Sequence, residues 1–256
     1  MNKPQLWLLP LFFLLCSCQT ITTNRTELGI PSSLVYFSFD DGPDAHGDTT
    51  ARLLDILKKY QIRALFSLLG ENAEYYPELV RRIYDEGHYI VNHGYSDKWA
   101  CRMNENEFRD NLVRWEAAIS RALGFDMTPR LYRPHGGFYY AKQENICIEE
   151  GFIIVSVTAR VYDAIKSGTS QRKIVKDTIK KLEKQNGGVI LLHDGRDSYS
   201  RREKKLAKNP QCAYNRSWIP ETVEEIITAL LDKGFIVSNA DLSAVPWSSY
   251  QDGLTN

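Results

Sequence analysis

Seven short apolar segments alternate with amphipathic stretches from Leu34 to Asn239, and this alternation restricts the chain more than any other feature. "LVYFSF" precedes "TTARLLDILKKY", whose apolar residues recur at helical spacing behind Asp48, a residue type suited to cap a helix. "RALFSLL" precedes "YYPELVRRIYDEG", with Pro77 near the helix start and Gly87 near its end. "HYIVN" precedes "ENEFRDNLVRWEAAISRALG", "PRLYR" precedes "KQENICIEEG", and "FIIVSV" precedes "QRKIVKDTIKKLEKQ". "GVILLH" precedes "ETVEEIITALLDKG", and "FIVSN" closes the series. Short β-branched or aromatic segments separated by helices build a parallel sheet with crossover connections. The predicted fold is α/β, a distorted (β/α) barrel of about seven parallel strands. With 256 residues, 43% of them hydrophobic, the chain can bury one core of that size, so a single domain is expected.

Ligand sites of such barrels lie at the carboxyl ends of the strands. Here those ends read Asp40 and Asp41, His93, Arg133, the Tyr162 and Asp163 region, then His193 and Asp194, so ionisable groups from five strands converge on one face. The adjacent carboxylates of Asp40 and Asp41 repel each other unless a positive charge shares the site, and a bound cation is one candidate. Asp97 follows His93 by four residues, a spacing that stacks two side chains on one face of a helical turn. Asp41, His93 and Asp97 then form a set able to hold one divalent cation while leaving positions open to water. The formal net charge is zero, which provides no long-range attraction to nucleic acid or to an acidic membrane surface.

The opening "MNKPQLWLLPLFFLLCSC" carries one Lys and an apolar run too short to span a bilayer, as an export signal does. Leu15, Cys16, Ser17 and Cys18 resemble a bacterial lipobox. The expected division is a lipoprotein-type signal peptide over 1–17, a lipidated Cys18 with a polar tether through 33, and a catalytic domain over 34–256. The expected location is the cell envelope, at the outer membrane or periplasmic face, with membrane contact only through the anchor. Cys101, Cys147 and Cys212 permit one disulfide, and no cysteine spacing is of metal-binding type. Gly195 to Pro220 reads as an irregular insertion, with the basic cluster from Arg201 to Lys208 as a solvated loop.

"FSFDDGPD", "NHGYSD", "YRPHGG" and "VILLHD", in this order and at barrel-like spacing, resemble the motifs of the polysaccharide deacetylase family, the NodB-homology or carbohydrate esterase family 4 domain. The similarity runs from about Leu34 to Leu242. It implies metal-dependent removal of acetyl groups, usually from N-acetylated sugars, and hence a polysaccharide or peptidoglycan substrate. By the resemblance Asp40 is the catalytic base, Asp41 and His93 are metal ligands, and Asp97 stands where most members have a further His. Arg133 orients the base, Gly136 supplies a backbone oxyanion donor, His193 is the catalytic acid and Leu191 lines the acetyl pocket. Thr158 and Val161 align with family carboxylates, which leaves Asp163 to tune His193. Zinc is the first expectation for the metal, although a carboxylate at 97 hardens the site, and cobalt, nickel or manganese would also suit it. Trp99, Tyr139, Tyr140 and Trp218 could stack on sugar rings, with packing the expected role of any single one. The alternatives are an O-deacetylase built from the same parts, or a degenerate member that binds glycan or a partner without turnover.

Overall fold

A computed structural model describes residues 18–237; residues 1–17, where a signal peptide is expected, and everything after Val237 lie outside the described residues. In chain order the elements are β1 (Gln19–Thr20), β2 (Leu34–Gly42), α1 (Thr49–Lys59), β3 (Ala64–Leu68), α2 (Gly70–Tyr75), α3 (Pro77–Asp85) and β4 (Tyr89–Asn92). They continue as α4 (Glu105–Leu123), β5 (Leu131–Tyr132), β6 (Phe138–Tyr139), α5 (Ala141–Glu149), β7 (Ile153–Ile154), β8 (Ala159–Arg160) and α6 (Gln171–Gln185). The last are β9 (Gly188–His193), α7 (Tyr199–Lys208), α8 (Ile219–Asp232) and β10 (Ile236–Val237).

The main sheet is parallel in the order β7-β5-β4-β3-β2-β9-β8, with β10 also beside the start of β2, and it curls into a half-barrel wrapped by helices. Successive residues of a strand face opposite sides, and both sides are covered here. Val35, Phe37 and Phe39 of β2 join Leu53, Leu57, Ile226 and Leu230 in the layer between sheet and helices. Tyr36 joins Leu65, Val91, Val189 and Leu191 in the barrel interior. Such two-sided burial explains why "LVYFSF" is continuously apolar instead of alternating.

Three expectations are corrected. The segment read as a tether lies on the domain. β1 pairs antiparallel with β6, and the Thr23 N–H donates to the Val157 carbonyl (3.0 Å) while the Val157 N–H donates to that of Ile21 (2.9 Å). Because β7 and β8 are the two ends of the strand order, this segment fills the open side of the barrel, with its own Ile21, Leu28 and Ile30 buried. Second, the basic cluster is largely the helix α7, not a solvated loop. Arg202 is fully buried, 3.0 Å from Asp44 Oδ1, and donates to the Tyr76 hydroxyl (3.0 Å). Third, Asp48 precedes α1 but has a left-handed backbone (φ 55°) and makes no capping bond, and the Asp44 carbonyl accepts the Thr50 N–H instead (3.0 Å). Cys101, Cys147 and Cys212 are free thiols.

Candidate active site

β2 ends in Asp40 and Asp41, whose side chains should point to opposite faces of a regular strand. They do not, because Asp41 has φ 67° and the register with β3 shifts between Asp40 and Gly42. Such a bulge re-aims side chains. Both carboxylates thereby approach His93 at the end of β4, with Nε2 at 3.7 Å from Asp40 Oδ2 and 3.3 Å from Asp41 Oδ1. The Asn72 amide holds the Asp41 carbonyl (2.8 Å) and fixes the bulge from beneath.

His93 Nδ1 lies 2.8 Å from the Arg133 carbonyl, which can only accept, so that nitrogen carries the proton. A neutral His93 consequently turns a lone pair toward Asp41 Oδ1. That contact is favourable only if a proton or metal ion is shared between them. The third member of the group is His135, just after β5, with Nε2 3.3 Å from the same Asp41 oxygen and its ring edge-on to His93 at 5.1 Å. Ligand atoms of Asp41, His93 and His135 all lie within 4.8 Å of one another, and the residues are buried. Two imidazole nitrogens and one carboxylate oxygen fit a divalent metal with open positions.

Asp97, expected in the third place, is not in this group. Residues 93–99 form no helix, so the four-residue spacing does not stack Asp97 on His93. Gly94 turns the chain at φ 87°, and a Cβ there would come within 2.6 Å of Asn111 Oδ1. Asp97 is paired with Arg201 of α7 (2.9 Å). His135 lay in the quoted "YRPHGG", two residues after Arg133, and its place at a strand end was the available signal.

On one side of the group, fully buried Arg133 pairs with Asp40 Oδ1 (2.6 Å) and donates to Ser38 Oγ. Burial pushes the Asp40 carboxyl up, but Arg133, then His93 and His193, outweigh it and leave the pKa below the usual carboxylate range. On the other side, His193 at the end of β9 donates its Nδ1–H to Asp163 Oδ1 (2.9 Å), and its backbone N–H donates to Oδ2 (2.9 Å). Asp163 is in turn gripped by Arg216, which also donates to the carbonyls of Asp163 (2.9 Å) and His193 (3.0 Å). Arg216 had no signal in the sequence, since nothing in "NRSW" distinguishes a buried arginine from an exposed one. Burial disfavours a charge on His193; Asp163 and then Asp41 and Asp40 reverse this and push its pKa up to about 9. Thr158 hydrogen-bonds Gln185 (2.9 Å) and the Val189 N–H (3.0 Å), away from His193.

Asp40, Asp41, His93, His135 and His193 line one pocket of about 200 Å³, which Leu191, Gly136 and Trp99 also line. Gly136 has φ 81°, and a Cβ there would come within 2.8 Å of the Trp99 ring, so the backbone approaches the indole as only glycine allows. Trp99 is the most open of the four singled-out aromatics, whereas Tyr139 and Trp218 are buried in the cores. Asp194 faces away from the pocket, buried and bonded by Thr50 Oγ1 (2.6 Å), with its pKa pushed up to about 7 chiefly by burial.

The family model for polysaccharide deacetylase matches residues 29–153. A peptidoglycan N-acetylglucosamine deacetylase crystallised with an N-oxidanyl-benzamide superposes at a TM-score of 0.65 and 31% identity, covering 81% of this chain and 86% of that one. The chain belongs to the polysaccharide deacetylase family. A peptidoglycan-N-acetylglucosamine deacetylase of Bacillus cereus is 35% identical over 161 residues, 62% of this chain and 55% of that protein, so the chain spans little more than half the length of that relative. A family 4 acetyl xylan esterase of Clostridium thermocellum in complex with a cobalt ion has a TM-score of 0.62 at 27% identity, over 80% of this chain and 87% of that one.

Proposed function

We propose that this family member hydrolyses the N-acetyl groups of an N-acetylhexosamine-containing polysaccharide or of peptidoglycan, giving acetate and a free amino sugar. One observation carries the reading. An Arg-held carboxylate, Asp40, and a carboxylate-held imidazole, His193, line the same pocket as the Asp41, His93 and His135 group. A divalent ion bound there would polarise the acetyl carbonyl and acidify a water. Asp40, kept ionised by Arg133, accepts the proton of that water. The backbone N–H at Gly136 is available to the oxyanion, a contribution of roughly 3 kcal/mol for one such donor. As the C–N bond breaks, His193 gives its proton to the departing nitrogen, since an amide nitrogen leaves poorly unprotonated. Leu191 offers the acetyl methyl an apolar wall.

A pKa of about 9 keeps His193 protonated at neutral pH, ready for a departing amide nitrogen, which leaves far worse without a proton than an ester oxygen does. This favours N- over O-deacetylation. Acetate release from N-acetylglucosamine oligomers, peptidoglycan fragments and acetylated xylan tests it, each with added metal and with chelator. Metal-dependent release from the first two supports the reading; release from xylan alone replaces it with an O-deacetylase. No release anywhere with glycan still bound replaces it with the non-catalytic binder.

Cys18 carries the proposed lipid. Gln19–Thr20 is already paired with β6 and Ile21 lines the pocket, so an anchor at Cys18 would hold the site against the membrane with almost no slack. Incorporation of labelled palmitate, lost in Cys18→Ser, is the expected result.

A further inference from the structure

The pocket carries charge that the proposed reaction does not use. Its three carboxylates all have partners: Asp40 has Arg133 (2.6 Å), Asp41 has His93 and His135 (3.3 Å each), and Asp197 accepts from the Tyr214 hydroxyl (2.8 Å). Its two arginines do not. Among the described residues neither the Arg160 nor the Arg196 guanidinium makes a hydrogen bond or an ion pair. Their neighbours cannot neutralise them. Arg160 packs on Gly137 and lies 5.7 Å from the Phe138 ring centroid, and Arg196 lies 4.3 Å from that of Tyr214. Both are half-buried, so each gives up hydration without gaining a counter-charge, a cost that an incoming anion would offset. A guanidinium held on a ring face keeps its N–H edge for a planar acceptor, and carboxylate fits that fork.

Their positions say where the anion would sit. The Arg160 backbone pairs with Leu191, two residues before His193, and its guanidinium reaches across to Gly137, while Arg196 follows His193 by three residues, so the two flank the His193 side of the pocket. Under the proposed function that side faces the sugar nitrogen. A space of about 200 Å³ admits only groups close to the acetamide.

We propose that Arg160 and Arg196 form an anion subsite for a carboxylate on the same sugar that carries the scissile acetamide, making an acidic N-acetylated glycan the preferred substrate. This rests on the proposed function for its orientation but not for its binding. A lactyl ether on the N-acetylated ring, as in muramic acid, presents that carboxylate; a uronic acid presents it from the neighbouring ring.

The test is binding, by titration calorimetry, to metal-loaded protein carrying Asp40→Asn to prevent turnover. The probes are tetrasaccharides of N-acetylglucosamine alone, alternating with N-acetylmuramic acid, and alternating with glucuronate. The muramic oligomer is expected to bind about 10- to 100-fold tighter than the neutral one, the range of a hydrogen-bonded charge pair. That preference should fall on adding salt and shrink to within a few-fold in Arg160→Gln/Arg196→Gln, with Arg160→Lys/Arg196→Lys intermediate. Equal binding of neutral and acidic oligomers, or a preference that the Gln pair leaves intact, overturns the subsite. Preference for the glucuronate oligomer overturns its placement on the acetamide-bearing ring. Acetate release by the wild-type protein is scored separately: its failure with the muramic preference intact refutes the proposed function and leaves the subsite standing.

Discussion

In the proposed reaction Asp40 and His193 divide the proton transfers because their surroundings push them in opposite directions. Arg133 keeps the first ionised, and Asp163 keeps the second charged. Asp40→Asn should reduce acetate release by about 10²–10⁴-fold, the usual worth of a positioned acid or base, while bound metal measured by elemental analysis stays unchanged. With His193 as the proposed acid, kcat/KM should fall as pH rises through about 9. Asp163→Asn removes the largest contribution that raises this pKa, so the alkaline limb should move down toward the ordinary imidazole value of 6.5 or below. A limb that stays near 9 would show that another group is being titrated. Asp40, Asp41 and His93 were legible because short motifs keep them at strand ends. The contest between Asp97 and His135 was not. It is decided by the turn at Gly94 and by Arg201, a cation 104 positions after Asp97 that claims its carboxylate.

At the scale of elements, hydrophobic periodicity identified the alternating strands and helices, since two-sided burial leaves continuous apolar runs and one-sided burial leaves helical stripes. It could not identify α7, whose "YSRREKKLAK" is almost wholly polar and is held by the buried Arg202, by Tyr199 stacked on Tyr75 and by a single buried leucine, Leu206. Arg202 anchors that helix to Asp44 with both side chains fully buried. Arg202→Leu strands the carboxylate, and the loss should be about 3–5 kcal/mol in urea unfolding. Adding Asp44→Asn should recover part of it. An unchanged midpoint in the single variant would mean that α7 contributes nothing to the folded core.

Across the whole molecule, the residues after Cys18 belong to the domain and not to a leash. Starting the protein at Ser32 removes Ile21, Leu28 and Ile30 from the core and strips the partner from β6. At about 1.5–3 kcal/mol for each fully buried side chain, the truncated protein should lose several kcal/mol and melt well below one starting at Cys18. Thermal unfolding of the two side by side checks this. Composition alone concealed the role of the segment, because Ile21, Leu28 and Ile30 are scattered among polar residues and their burial depends on the gap between β7 and β8.

The central claim is that Asp41, His93 and His135, not Asp97, hold the metal on which deacetylation depends. It is tested by metal affinity, from chelator competition, together with acetate release from an N-acetylglucosamine oligomer, for wild type, His135→Ala and Asp97→Ala. The account predicts that His135→Ala loses both metal and turnover while Asp97→Ala binds metal like the wild type. Metal held normally by His135→Ala and lost by Asp97→Ala would contradict it.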